Sequence, residues 1–168
     1  MSEETLSTLE PHLKEIGVEA VWTQWSALGA GTLQDKRKAS SIIDPEALLL
    51  FSLYLIPVER RLRDLTRWWA HVGSELLSVQ RTQTLLKTFP DEVEERLRVY
   101  SHWATQAGDK RWKRYAGPPP EDAPDRPQKG PDAPDLHAPA ALLFRLRAGF
   151  GVSAKADVLA FLLGIGEQ

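Results

Sequence analysis

The chain has 168 residues, with 21 basic and 23 acidic side chains and 42% hydrophobic residues, so its formal charge is −2. That length suggests one domain, or one domain with an appendage, and that composition rules out disorder as a whole-chain answer. With no cysteine and only four scattered histidines, disulfides, thiolate nucleophiles and thiolate metal sites are excluded, and neither a metal nor a cofactor is expected.

The acidic start MSEETLSTLE lacks the basic stretch and apolar run of a secretion signal, which predicts a cytoplasmic protein. Val18, Val21, Trp22, Trp25 and Leu28 recur at three- and four-residue intervals, predicting one face of a helix that Gly29 and Gly31 end. Asp44-Pro45 is an N-cap and first-turn pair opening the apolar run through Leu55. The stretch Ala47 to Ile56 is about half of the ~20 residues needed to cross a bilayer. It reads as a helix at the centre of a bundle, with no membrane association. Pro57 stops it, and Val58, Leu62, Leu65, Trp69 and Val72 trace the next buried stripe up to Gly73. Ser78 caps a short helix through Lys87. Another helix starts at Pro90 or Asp91, with Val93, Leu97, Tyr100, Ala104 and Ala107 facing inward before Gly108.

Seven of the twelve prolines fall between Pro118 and Pro134, which makes that stretch a semi-rigid spacer. Beyond it, Pro139 leads into a helix carrying Leu142, Leu143 and Leu146. Gly149 and Gly151 break that helix, and Ser153 caps a last one with Val158, Leu159, Leu162 and Leu163. The chain thus divides into an α-helical interaction domain (1–115), a proline-rich linker (116–135) and a helical tail (136–168). The expected fold is all-α, a compact multi-helix bundle with a short C-terminal helical hairpin. Two short tail helices cannot bury their own apolar faces, so they must dock on the body, pair with another copy, or await further residues.

Catalytic signatures are missing: there is no HExxH, GxSxG, Walker-type or GxGxxG pattern. His71 and Glu75, four apart on one helical face, and His102, near Arg98 on another, are candidate acid–base groups, and the rival reading is a small helical enzyme with a pocket near His71 and Glu75. Asp91, Glu92, Glu94 and Glu95 complement a helix N-terminus, with Glu94 placed to pair with Arg98. The basic side chains are more informative. Arg60, Arg63 and Arg67 form a strip that, with Arg81, suits an anionic partner, although Glu59–Arg63 and Arg60–Asp64 pairs would neutralise much of it. Lys110, Arg111, Lys113 and Arg114, interleaved with Trp112 and Tyr115, form a second cluster suited to nucleic acid or an acidic protein. Trp22, Trp25 and Trp69 belong to core stripes. Trp68 and Trp112 are candidate partner anchors, and Trp103 flanks a stripe in the same way as Trp68.

The segments VWTQWSALG, IDPEALLLFSLYL, SELLSVQRTQTLL and LLFRLRAGFGVSAKADVLAFLLG together resemble a bacterial family of transcriptional-regulator-like proteins. In that family an α-helical N-terminal region precedes a winged-helix DNA-binding module. Members are often encoded beside nucleotidyltransferases of the abortive-infection toxin type. The resemblance implies an antitoxin-like or regulatory role, a protein partner such as that toxin, and DNA binding in a full-length form. It also makes Ser153 to Leu163 a scaffold helix of the winged-helix module, with the recognition helix about twenty residues later. The chain ends at Gln168, so base reading by this chain is not expected. It reads instead as a fragment or a naturally short version whose Leu159, Leu162 and Leu163 lack cover and drive homo-oligomerisation. The leading expectation is a non-enzymatic regulatory protein, with a pure assembly scaffold as a third reading.

Overall fold

The most apolar segment of the sequence forms the middle of the fold. A computed structural model describes residues 3–30, 39, 41–119 and 131–165. Among them run seven α-helices: α1 (Glu3–Ala27), α2 (Pro45–Leu55), α3 (Arg61–Val72), α4 (Val79–Leu86), α5 (Asp91–Gln106), α6 (Leu142–Phe150) and α7 (Ala154–Ile165). Short 3₁₀ segments cover Ser74–Leu76, Lys110–Tyr115 and Pro139–Ala141, and the described residues contain no strand. The fold is therefore all-α. The expected Gly31 stop and the middle of the linker, 120–130, lie outside the described residues.

Helix α2 begins where the Asp44 carboxylate accepts the Ala47 N–H at 3.1 Å, while Pro45 supplies a pre-set φ where no N–H is needed. Its Leu48, Leu49, Leu50, Leu53 and Leu55 are all buried, and α1, α3, α4 and α5 pack around it. The polar member of this run, Ser52, is satisfied: its hydroxyl donates to Leu48 O at 2.6 Å and accepts the Trp25 indole N–H at 2.9 Å. Trp25 of α1 and Trp69 of α3 meet edge-on at 5.2 Å between ring centroids, and Phe144 of α6 closes on Trp69 at 5.4 Å. Edge-to-face stacking of this kind adds to the area these large rings bury.

The body holds five helices as the periodicity predicts, with several side chains placed differently. Trp68 is 4% exposed and its indole N–H donates to Pro131 O at 2.8 Å, so it is a core residue and not a partner anchor. Trp103 is buried to the same degree. Helix α3 buries positions on both sides of the Leu62–Leu65–Trp69 stripe, since α5 packs against it and Trp68 also meets Trp25 at 6.4 Å. Val58 precedes α3 in the turn after Pro57 and is 50% exposed, and Ala107, the C-cap of α5, is exposed too. Ser78 caps α4 by accepting the Arg81 N–H at 3.2 Å. Ser153 makes no such cap bond: its hydroxyl has no hydrogen-bond partner among the described residues. Helix α1 reaches back to Glu3, well before the apolar stripe, and leaves Leu9, Leu13 and Ile16 exposed.

The flanks of the proline-rich stretch are pinned to the body. The Gly117 N–H donates to Arg98 O at 3.1 Å and the Asp135 N–H to Leu28 O at 2.9 Å. Gly29 makes that second approach possible: its φ is +79°, and a Cβ there would stand 3.2 Å from Asp135 Cβ. The tail then docks, with Ile43 N–H donating to Ala140 O at 2.9 Å and with Ala140, Ala141 and Phe144 buried.

Candidate interaction site

Two charges placed in apolar helices meet beneath the tail. Glu46, in the first turn of α2, and Arg147, in α6, have side chains with no exposure at all and pair at 2.5 Å. Glu46 Oε1 also accepts the Ser78 N–H at 2.7 Å, and Oε2 accepts from Arg81 Nη1 at 2.5 Å. Arg147 donates further to Leu76 O at 2.9 Å and, through Nε and Nη2, to Asp157 Oδ1 of α7 at 3.1 and 3.0 Å. Buried charge is tolerable only where every lone pair and proton finds a partner. This network meets that demand while tying α2, α4, α6 and α7 together, so it is an ionic latch for the hairpin.

Arg81 belongs to the same latch. It grips Asp44 through Nη1 at 2.6 Å and Nη2 at 2.5 Å in addition to Glu46. It is therefore not available to an anionic partner as the sequence suggested, because two carboxylates already take its fork. Burial pushes the Asp44 carboxyl up, but the Arg81 fork, the Ala47 N–H and the charges of Arg81 and Arg147 outweigh it and hold the group below its ordinary value. Sequence reasoning passed over Glu46, Arg147 and Asp157. The available signal was a single acid at the head of an otherwise apolar helix and a basic residue inside the apolar α6 run.

The Arg60, Arg63 and Arg67 strip is only partly on the surface. Arg60 is exposed, but Arg63 and Arg67 are half-buried. The Arg67 guanidinium stands 5.7 Å from the centre of the Trp103 ring, a cation–π placement. Arg63 instead lines a groove of about 240 Å³ with Leu53, Ile56, Arg96 and Trp103. Glu59 does not take Arg63. Standing before the helix, it accepts the Arg61 backbone N–H at 3.1 Å and that residue's Nε and Nη2 at 2.9 and 2.6 Å. His71 and Glu75 do not form a pair on one helix, because α3 ends at Val72 and Glu75 lies in the following 3₁₀ turn; both are exposed.

Lys110 to Tyr115 fold as a 3₁₀ segment, in which residues three apart share an edge. One edge carries Trp112, fully buried and edge-on to Tyr100 at 5.2 Å, with half-buried Tyr115 behind it. Trp112 therefore anchors its own segment and is no partner anchor. The second edge carries exposed Lys110 and Lys113, and the third carries Arg111 and Arg114. Arg111 is fixed by Asp109 at 2.9 and 2.6 Å and by the carbonyls of Ser74 and Leu77 at 3.0 and 3.3 Å. Burial raises the Asp109 carboxyl, but the Arg111 fork overrides it and leaves the group below its usual range.

The outer face of the tail is bare. Val158, Leu159, Phe161, Leu162 and Leu163 of α7 are 55, 36, 68, 59 and 51% exposed, and Phe150 at the end of α6 is 61% exposed. On the inner side Ala156 and Ala160 are buried, four apart, so small side chains let α7 lie close to its support. The six outer residues are among the most exposed large apolar side chains of the described residues. Among the described residues there is no group of three or more side chains placed to hold a metal ion, and no helix long and apolar enough to cross a membrane. Comparison with family models, with curated proteins and with solved structures found no match.

Proposed function

We propose that this chain is a non-enzymatic interaction protein of the regulatory kind, whose tail hairpin presents the bare face of α7 to another polypeptide, first of all a second copy of itself. The observation that carries the reading is the contrast across α7. Its inner side is held by Ala156, Ala160 and the Asp157–Arg147 pair, while five large apolar side chains face outward. A mobile tail would lose entropy on ordering when it bound, whereas a latched one presents its face already set. A wholly apolar patch is also self-complementary, which an isologous dimer requires and a single-sign charged patch does not provide. In a longer form this hairpin would be the start of a winged-helix module, as the likeness to transcriptional-regulator-like and antitoxin-like proteins implies. The same face would then meet the rest of that module, DNA binding would belong to that form, and a toxin-type nucleotidyltransferase would be the protein partner.

Light scattering coupled to size exclusion tests the reading. The wild-type chain should run as a dimer at high micromolar concentration, and Leu159→Asp with Leu162→Asp should leave a folded monomer. A wild-type monomer at the highest soluble concentration defeats self-association through α7.

A further inference from the structure

The 3₁₀ segment faces α4 across a cleft of about 490 Å³, in which Gln80, Gln83 and Lys87 oppose Arg111, Arg114 and Tyr115. On α4 and its C-cap residue Lys87 these residues recur at three- and four-residue spacing and so share one face. On the opposite wall the three-residue period aligns Arg111 above Arg114. The remaining lining residues, Val79 and Thr84, bring no acid either. Two acids do act on Arg111: Asp109 grips it at 2.6 Å, and the charge of Glu75 also favours its charged form. A second hollow of about 160 Å³ shares Gln83, Arg114 and Tyr115 with the first and continues it past Arg98 and Glu94, which pair with each other at 2.8 Å. The two hollows form one trough with Arg114 and Tyr115 as the ridge between them, the guanidinium 4.9 Å from the ring centre.

We propose that this trough binds single-stranded nucleic acid, with phosphates over Lys87 and Arg114 and a base against Tyr115. The site is distinct from the α7 face and does not depend on it. Cations alone would serve any anion. The aromatic ridge, the donor-and-acceptor amides of Gln80 and Gln83 and the extension into a second hollow suit a chain of alternating phosphates and flat bases. An acidic peptide has no use for the ring. A duplex cannot place its stacked bases against it. Arg111, like Arg81, already gives its fork to a carboxylate and, beyond that, to two carbonyls, so it forms a wall of the cleft and leaves the phosphates to Lys87 and Arg114.

Fluorescence anisotropy with a labelled mixed-sequence single-stranded oligonucleotide, on the full chain, tests this. Two neutralised phosphates predict that log K falls against log salt with a slope of about −1.4. Lys87→Glu with Arg114→Glu should weaken binding at least about tenfold, as two phosphate contacts become repulsions. Arg60→Glu, an equal charge change per site at a residue that lines neither hollow, should leave binding within about twofold. Tyr115→Leu should cost about tenfold at unchanged salt slope, the effect of losing one stacked base. Circular dichroism confirms that each variant is folded. The proposal is overturned if the oligonucleotide fails to bind at low salt, or if Arg60→Glu weakens it as much as the cleft variants do. It is equally overturned if a polyglutamate peptide binds as tightly and Tyr115→Leu changes nothing.

Discussion

Replacing Arg147 with methionine removes the charge at the centre of the latch while keeping most of the side chain's apolar stem. The substitution deletes the donations to Glu46, Asp157 and Leu76 O from a position with no solvent access. Glu46 is then left buried, but not abandoned, because the Ser78 N–H and Arg81 Nη1 still point at it. Breaking a buried pair by removing one partner costs about 3–5 kcal/mol, and the surviving donors place this case near ~3 kcal/mol. For a chain of this size that corresponds to a drop of roughly 6–12 °C in Tm. Urea unfolding followed by tryptophan fluorescence measures it. Adding Glu46→Gln completes a double-mutant cycle, in which the coupling between the two positions should reach ~1–3 kcal/mol. Hydrogen exchange supplies the local readout, since amides of α6 and α7 should lose protection before those of α2. A single-variant loss under ~1 kcal/mol with additive cycle energies would show that the pair is energetically idle, contrary to the argument from burial.

Three further outcomes are expected. Gly73→Ala should destabilise by about 1–3 kcal/mol, because a Cβ there would stand 2.4 Å from the Trp69 ring, itself wedged between Trp25 and Phe144; an unchanged urea midpoint would show that the ring moves freely. Tyr100→Phe should be neutral or stabilising by up to ~1 kcal/mol, since a buried hydroxyl without a partner costs on that order and the Tyr100 hydroxyl has none among the described residues; a clear loss of stability in thermal melts would count against it. Asp44 and Asp109 both titrate below their unfolded values, so their contribution to stability is complete above the unfolded carboxylate pKa of about 4 and is lost as pH falls through the folded values. Urea midpoints measured from pH 5 downward should decline at the acid end, and the Asp44→Asn, Asp109→Asn double variant should flatten that decline.

Which residue types could carry the candidate chemistry was legible in the sequence, and their environment was not. The KRWKRY pattern marked Lys110–Tyr115 as a basic segment with interleaved rings, but whether each ring pointed inward or outward depended on the segment being 3₁₀ and not extended. Leu159, Leu162 and Leu163 are exposed as the tail's shortage of cover implied. Arg81 resembled Arg60 in sequence, and only the arrival of Asp44 and Glu46 from a residue separation above thirty distinguishes a latch component from a surface cation.

Caps by themselves determined where α2 and α4 begin, because a helix start is a local event: Asp44 and Ser78 satisfy N–H groups only three residues away. The apolar run of α2 also determined that this helix is central, since a helix apolar on nearly all sides has nowhere else to be. Tertiary structure decided the fate of the tail and of every charge that left the surface. Arg147 lies 101 residues from Glu46, and no local pattern encodes that meeting. Burial is set by what packs on both sides of a residue, so Trp68, Trp112 and Arg81 took their roles from neighbours distant in the chain.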